Sequence, residues 1–128
     1  MGAVALDANA AIGLLDPRDA HHARATERLA AHYARLSRIL LPASAYAELM
    51  VHPLRAGTAA NFEAFVDRPE VEVVAIDRGL ARAAAQLRAD HGTLRLGDAL
   101  VLATALVRDA ELLTFDERLR RIAGRGPR

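Results

Sequence analysis

The chain has 128 residues, 52% apolar and 26% charged, with a formal net charge of +1 and no cysteine. That length holds one hydrophobic core and excludes two of ordinary size, and the composition excludes a disordered chain. The missing cysteines exclude disulfides, thiolate metal sites and a cysteine nucleophile. All 17 lysine-or-arginine positions are arginine, which excludes a mechanism turning on lysine but supplies bidentate phosphate ligands that never titrate.

In chain order, residues 4–7 (VALD) form a short apolar run without polar alternation, the pattern of a strand covered on both faces, with Asp7 at its carboxyl end. Residues 8–15 read as a short helix, stopped near Asp16 and Pro17. Residues 19–36 form a longer helix, with Asp19 as its N-cap and Ala23, Leu29, Ala30, Tyr33 and Leu36 recurring at helical spacing. A second strand covers residues 38–41. Pro42 ends it, and Ser44 caps a helix to about residue 51, with Pro53 and Gly57 as punctuation.

Residues 58–66 are helical, and Phe62 and Phe65 are read as core in preference to an exposed contact face. Residues 71–76 are the most strand-like segment, being rich in β-branched side chains. Asp77 caps the next helix, with Leu80, Ala84 and Leu87 on one face, until His91 and Gly92 break it. Residues 98–107 form a strongly apolar, buried helix, residues 111–114 a last strand and residues 116–122 a short terminal helix. Strands alternating with helices predict a parallel sheet covered on both faces. No apolar stretch reaches membrane-spanning length, and the N-terminus lacks a basic region, so a cytoplasmic protein without a signal peptide is expected.

Ligands of open parallel sheets bind beyond the carboxyl ends of the strands. Asp7 ends the first strand there and Asp116 follows the last, while Glu48 and Asp98 lie on helices that begin on the same side. Each acid alone has a plainer reading. Asp7 and Asp98 resemble helix caps, and Thr114 with Glu117 matches a capping box around Asp116. Glu48 lies inside a helix and has no capping role, so its alternative is a solvated face. Together the four carboxylates would repel one another unless a cation sits among them. Oxygen-only ligands suit Mg²⁺ or Mn²⁺, and a carboxylate-held cation that acidifies water suits phosphodiester hydrolysis.

These segments resemble the PIN-domain nucleases, in particular the VapC toxins of bacterial toxin–antitoxin pairs. The resemblance is carried by residues 4–9 (VALDAN), 42–48 (PASAYAE), 96–105 (LGDALVLATA) and 112–116 (LLTFD), with residues 16–22 (DPRDAHH) also similar. It covers essentially the whole chain. It implies a three-layer α/β/α sandwich with a central parallel sheet of four or five strands. A single PIN-like domain over residues 1–122 is expected, followed by a flexible tail over 123–128. The resemblance further implies Asp7 and Asp98 as the principal Mg²⁺ ligands, Glu48 and Asp116 completing the acidic pocket, and Asn9 and Thr114 as supporting residues. The implied activity is that of a type II toxin, an endoribonuclease that cleaves RNA by metal-activated water. A VapB-type antitoxin and a homodimer are the implied partners. Two positions depart from the family pattern: Gly97 stands where proline is common, and Phe115 where a polar or basic residue is common.

Among rim arginines Arg18, Arg55, Arg95 and Arg118, Arg95 is best placed for substrate phosphate, three residues before Asp98. His21 and His22 are adjacent and would point apart from a helix, which argues for a loop or helix-start role over a metal pair. A phosphoacceptor receiver domain fits poorly for want of lysine. A haloacid-dehalogenase-like phosphatase fits poorly because Asn9 stands where it would need a second aspartate. The alternative function kept is a non-catalytic PIN-type module that binds a protein partner or RNA.

Overall fold

The structure is a computed structural model that describes residues 2–34 and 38–124. In these residues four strands and seven helices follow one another. They are β1 (Ala3–Leu6), α1 (Ala8–Leu15), α2 (His22–Ala34), β2 (Arg38–Pro42), α3 (Ala43–Ala56) and α4 (Ala59–Val66). Then come β3 (Val71–Val74), α5 (Arg78–Asp90), α6 (Leu96–Val107), β4 (Glu111–Leu113) and α7 (Glu117–Gly124).

The strands form one sheet in the order β3-β2-β1-β4, and every pairing is parallel. Side chains alternate across the sheet with period two. Val4, Leu6, Ile39 and Leu41 therefore face one layer, where α1, α2, α3 and α4 contribute Ala10, Ala11, Leu29, Leu49 and Phe65. Ala5 and Leu40 face the other, where α5, α6 and α7 contribute Leu80, Ala84, Leu102, Ala103 and Leu119. This is the expected three-layer α/β/α sandwich, with four strands. Phe65 is buried and Phe62 packs against the same cluster. No helix among the described residues is long and apolar enough to cross a membrane.

Several expected boundaries move, each for a local reason. Asp19 does not cap α2. Its carboxylate accepts from the His21 N–H at 2.9 Å and closes a turn ahead of the helix, which starts three residues later at His22. The inward face of α2 is Ala25 and Leu29, whereas Ala23 and Ala30 are exposed. Leu36 and the segment 125–128 lie outside the described residues, as does the side chain of Tyr33.

Ser44 does not cap α3. The helix already begins at Ala43, Pro42 is its N-cap, and Ser44 Oγ is buried without a hydrogen-bond partner among the described residues. Nor does Pro53 end α3. It sits inside the helix with its ring buried, and the helix continues to Ala56 before Gly57 stops it in the left-handed region at φ 74°. β3 ends at Val74, two residues short of Ile76, which is 44% exposed. The last helix extends beyond residue 122, so that Ala123 packs against the second cluster.

Candidate functional site

Strand order makes one crevice special. From β1 the chain builds outward through β2 and β3, then returns to add β4 on the opposite side of β1. The carboxyl ends of β1 and β4 therefore flank the switch point where an open parallel sheet binds ligands. Leu6 pairs with Leu113 in the parallel register. Asp7 and Thr114 are the next residues along, so the register itself sets them side by side.

Asp7 is 7% exposed. Its Oδ1 accepts from the Ala10 N–H at 2.7 Å, which caps α1, and its Oδ2 accepts from the Thr114 hydroxyl. Burial raises the pKa of Asp7. The hydrogen bonds from Thr114 and Ala10 oppose that rise, and the charges of Asp98 and Asp116 add to it.

Asp98 is the third residue of α6, where an acid complements the helix N-terminus, but Arg95 is the N-cap and Asp98 makes no cap. Burial raises its pKa too, followed by the charge of Asp116, while Arg95 and Arg118 pull it down. These mutual influences place Asp7, Asp98 and Asp116 around one region.

Asp116 has a structural role as well. Its Oδ1 accepts from the N–H groups of Arg118 and Leu119 at 2.9 and 3.1 Å and so caps α7. Thr114 is not part of a capping box. Its hydroxyl is spent on Asp7, while its oxygen accepts from the Asp116 N–H at 3.1 Å. One threonine thus ties the first acid to the last.

Glu48 lies on the exposed side of α3 and makes no hydrogen bond or ion pair among the described residues. Gly97 gives its carboxylate room. A Cβ built at residue 97 would come within 2.5 Å of Glu48 Oε1. The glycine therefore leaves the space in which the Glu48 carboxylate lies against the first turn of α6, one residue from Asp98.

Asn9 stands exposed in the first turn of α1 without a hydrogen bond to Asp7. The support expected of it comes from the Ala10 N–H and the Thr114 hydroxyl instead. His21 and His22 do point apart. His22 Nδ1 lies 2.8 Å from the Gly13 carbonyl, which only accepts, so that nitrogen carries the proton; His21 stacks on Phe115. Of the rim arginines, Arg95 and Arg118 both act on Asp98. Arg18 lies 3.6 Å from Asp16, and Arg55 is exposed in the last turn of α3. Sequence reasoning ranks Arg118 below Arg95 because it lacks the turn that brings α7 to α6.

The donor set is chemically right for a hard divalent cation, being all carboxylate oxygen. Among the described residues, however, no three histidine, aspartate or glutamate side chains already close round one point. Asp7 keeps a free lone pair on each oxygen beyond its two hydrogen bonds. Asp98 has no hydrogen bond among the described residues, so its carboxylate is open to a ligand.

An all-parallel α/β protein with carboxylates gathered beyond the ends of β1 and β4 is a recognisable class. Set against models of known families, the chain matches the PIN domain over residues 4–125, and it belongs to the PIN-domain family. Solved structures share the fold. A toxin–antitoxin complex from Klebsiella pneumoniae superposes with a TM-score of 0.74 at 23% identity, over 89% of this chain and 87% of that one. VapBC2 from Rickettsia felis, bound to a DNA fragment from its promoter, gives 0.73 at 17%, over 93% and 92%. FitAcB from Neisseria gonorrhoeae gives 0.72 at 21%, over 94% and 93%. No curated protein sequence matches the chain.

Proposed function

We propose that the chain is a Mg²⁺-dependent endoribonuclease (Mn²⁺ being an alternative ion) acting as the toxin of a type II toxin–antitoxin pair. One observation carries this reading. Asp7 is buried at the switch point with Asp98 and Asp116 acting on it, an arrangement that opposes folding unless it serves a charged ligand. Family membership supports a nuclease, since PIN domains are generally nucleases. The toxin assignment draws on the solved structures of similar fold, which are toxin–antitoxin complexes. A VapB-type antitoxin, a homodimer and a cytoplasmic location belong to the same proposal.

Asp7 and Asp98 would hold the cation, with Glu48 and Asp116 completing the pocket directly or through water. A bound cation supplies charge neutralisation at phosphorus and lowers the pKa of water. The remaining work falls to the chain. Thr114 and the Ala10 N–H fix the Asp7 carboxylate in one orientation and favour its charged form. Arg95 and Arg118 flank Asp98, where a guanidinium offsets the repulsion between the acids and an incoming phosphate.

The test is cleavage of structured RNAs by the wild type and by Asp7→Asn. Cleavage that needs Mg²⁺ or Mn²⁺ and is lost in the variant is expected. Equal activity in both proteins, or activity that survives EDTA, refutes the reading. A non-catalytic module, by contrast, would leave every RNA intact and show no rise in melting temperature with Mg²⁺.

A further inference from the structure

Beside the acids lies an assembly that the function described so far does not use. His21 and Phe115 stack with ring centroids 4.5 Å apart and planes 13° from parallel. The guanidinium carbons of Arg24 and Arg28 lie 4.8 and 5.2 Å from the Phe115 centroid. Four residues apart on α2, the two arginines share a face of the helix. Arg28 also donates from Nη1 to the Thr114 carbonyl at 3.4 Å. The assembly therefore sits against the residue whose hydroxyl holds Asp7.

Gathering cations in this way opposes folding. Burial lowers the Arg28 pKa, as do the charges of Arg120 and Arg24, and Glu117 and Glu27 offset this less strongly. Neither Arg24 nor Arg28 has a carboxylate within ion-pair distance among the described residues. Aromatic contact orders both side chains, limiting the rotamer freedom they would lose on binding, without neutralising them. Pre-ordered, unneutralised guanidinium forks match the geometry of phosphate oxygens. Phe115 is already engaged by His21 and the two cations, so the ring is a platform for cations and not for bases.

We propose that Arg24 and Arg28, held on the His21–Phe115 stack, grip backbone phosphates of the RNA strand that flanks the cleavage point. Phe115 and His21 are then positioning residues. The departure at Phe115 acquires a purpose, since its ring orients two cations. The proposal rests on the nuclease reading in naming RNA as the strand and in placing it beside a cleavage point.

The experiment measures binding, so that it stands apart from cleavage. Anisotropy of a labelled single-stranded RNA is followed from about 50 to 200 mM salt, for Asp7→Asn and for Asp7→Asn carrying Arg24→Gln and Arg28→Gln. Affinity is expected to fall about tenfold at the lower salt. The log–log salt slope is expected to become shallower by about 0.7 for each phosphate no longer held. Arg24→Lys with Arg28→Lys should restore the slope, because the charge returns without the fork. Melting temperatures check that each variant is folded, and a purely structural role for the arginines would leave the slope unchanged. Unchanged affinity and slope, or no RNA binding by either protein, overturns the proposal. Failure of the nuclease reading shows separately, as wild-type protein that leaves RNA intact with Mg²⁺ while Asp7→Asn still binds it.

Discussion

Asparagine at position 7 is expected to make the protein more stable while it removes the proposed cleavage. Asp7 is 7% exposed, and hydrogen bonds from Ala10 and Thr114 oppose the burial and the charges of Asp98 and Asp116. The balance raises its pKa in the folded state. A carboxyl raised in this way lends stability below its unfolded-state pKa and loses it as pH rises through the folded value. At neutral pH the ionised group therefore opposes folding. Asparagine keeps the shape and is as good an N-cap, so the bond from Ala10 is retained. Relief of about 0.5–2 kcal/mol is the usual scale for such a change. For a domain of this size about 1 kcal/mol corresponds to a rise in Tm of about 3–6 °C. Thermal melts in EDTA should show that gain at about pH 8 and its loss at about pH 4, where the wild-type carboxyl takes up a proton itself. Mg²⁺ should narrow the gap from the other side by stabilising the wild type alone. A variant that melts at or below the wild type at the higher pH, or keeps its whole advantage at the lower, refutes the reasoning.

Three further substitutions probe the same frame. Thr114→Val removes the hydroxyl from Asp7 and the acceptor from the Asp116 N–H. It should destabilise by about 1.5–3 kcal/mol in chemical denaturation and move the acid limb of the kcat/KM profile to higher pH, with Thr114→Ser recovering both. Gly97→Ala puts a methyl where Glu48 Oε1 lies. Because that carboxylate is the end of an exposed side chain and alanine favours the helix by up to about 1 kcal/mol, Tm should hold or rise while cleavage falls about tenfold. Ser44→Ala removes a buried hydroxyl without a partner. It should stabilise by about 1 kcal/mol in a urea titration and leave cleavage unchanged.

Strand identity was readable from the sequence wherever burial on both faces suppressed alternation. Val4–Leu6 and Ile39–Leu41 show this, each run feeding both core layers. Asp77 caps its helix as expected, because an N-cap bond is local; its carboxylate accepts from Leu80 at 2.8 Å. What the sequence hid is what depends on contact between distant segments. Pro53 reads as a helix breaker until the buried ring is seen packed in α3. Thr114 matches a capping box, yet its hydroxyl goes to Asp7, a partner 107 residues away. Gly97 reads only as a departure from a family pattern until the Glu48 carboxylate is found lying against it. The stack of His21 on Phe115 joins segments with no signal in common, so no periodicity announces it.

The bond between Asp7 and Thr114 has a consequence for how the protein is made. Its partners stand 107 residues apart, on the first strand and just past the last. During synthesis Asp7 leaves the ribosome early, but β4 does not yet exist to pair with β1. Every nascent chain shorter than Thr114 holds its first acid by the Ala10 N–H alone and lacks Asp116. Asp7 therefore gains its second hydrogen-bond partner only once β4 exists and Leu113 pairs with Leu6, which carries the threonine into place.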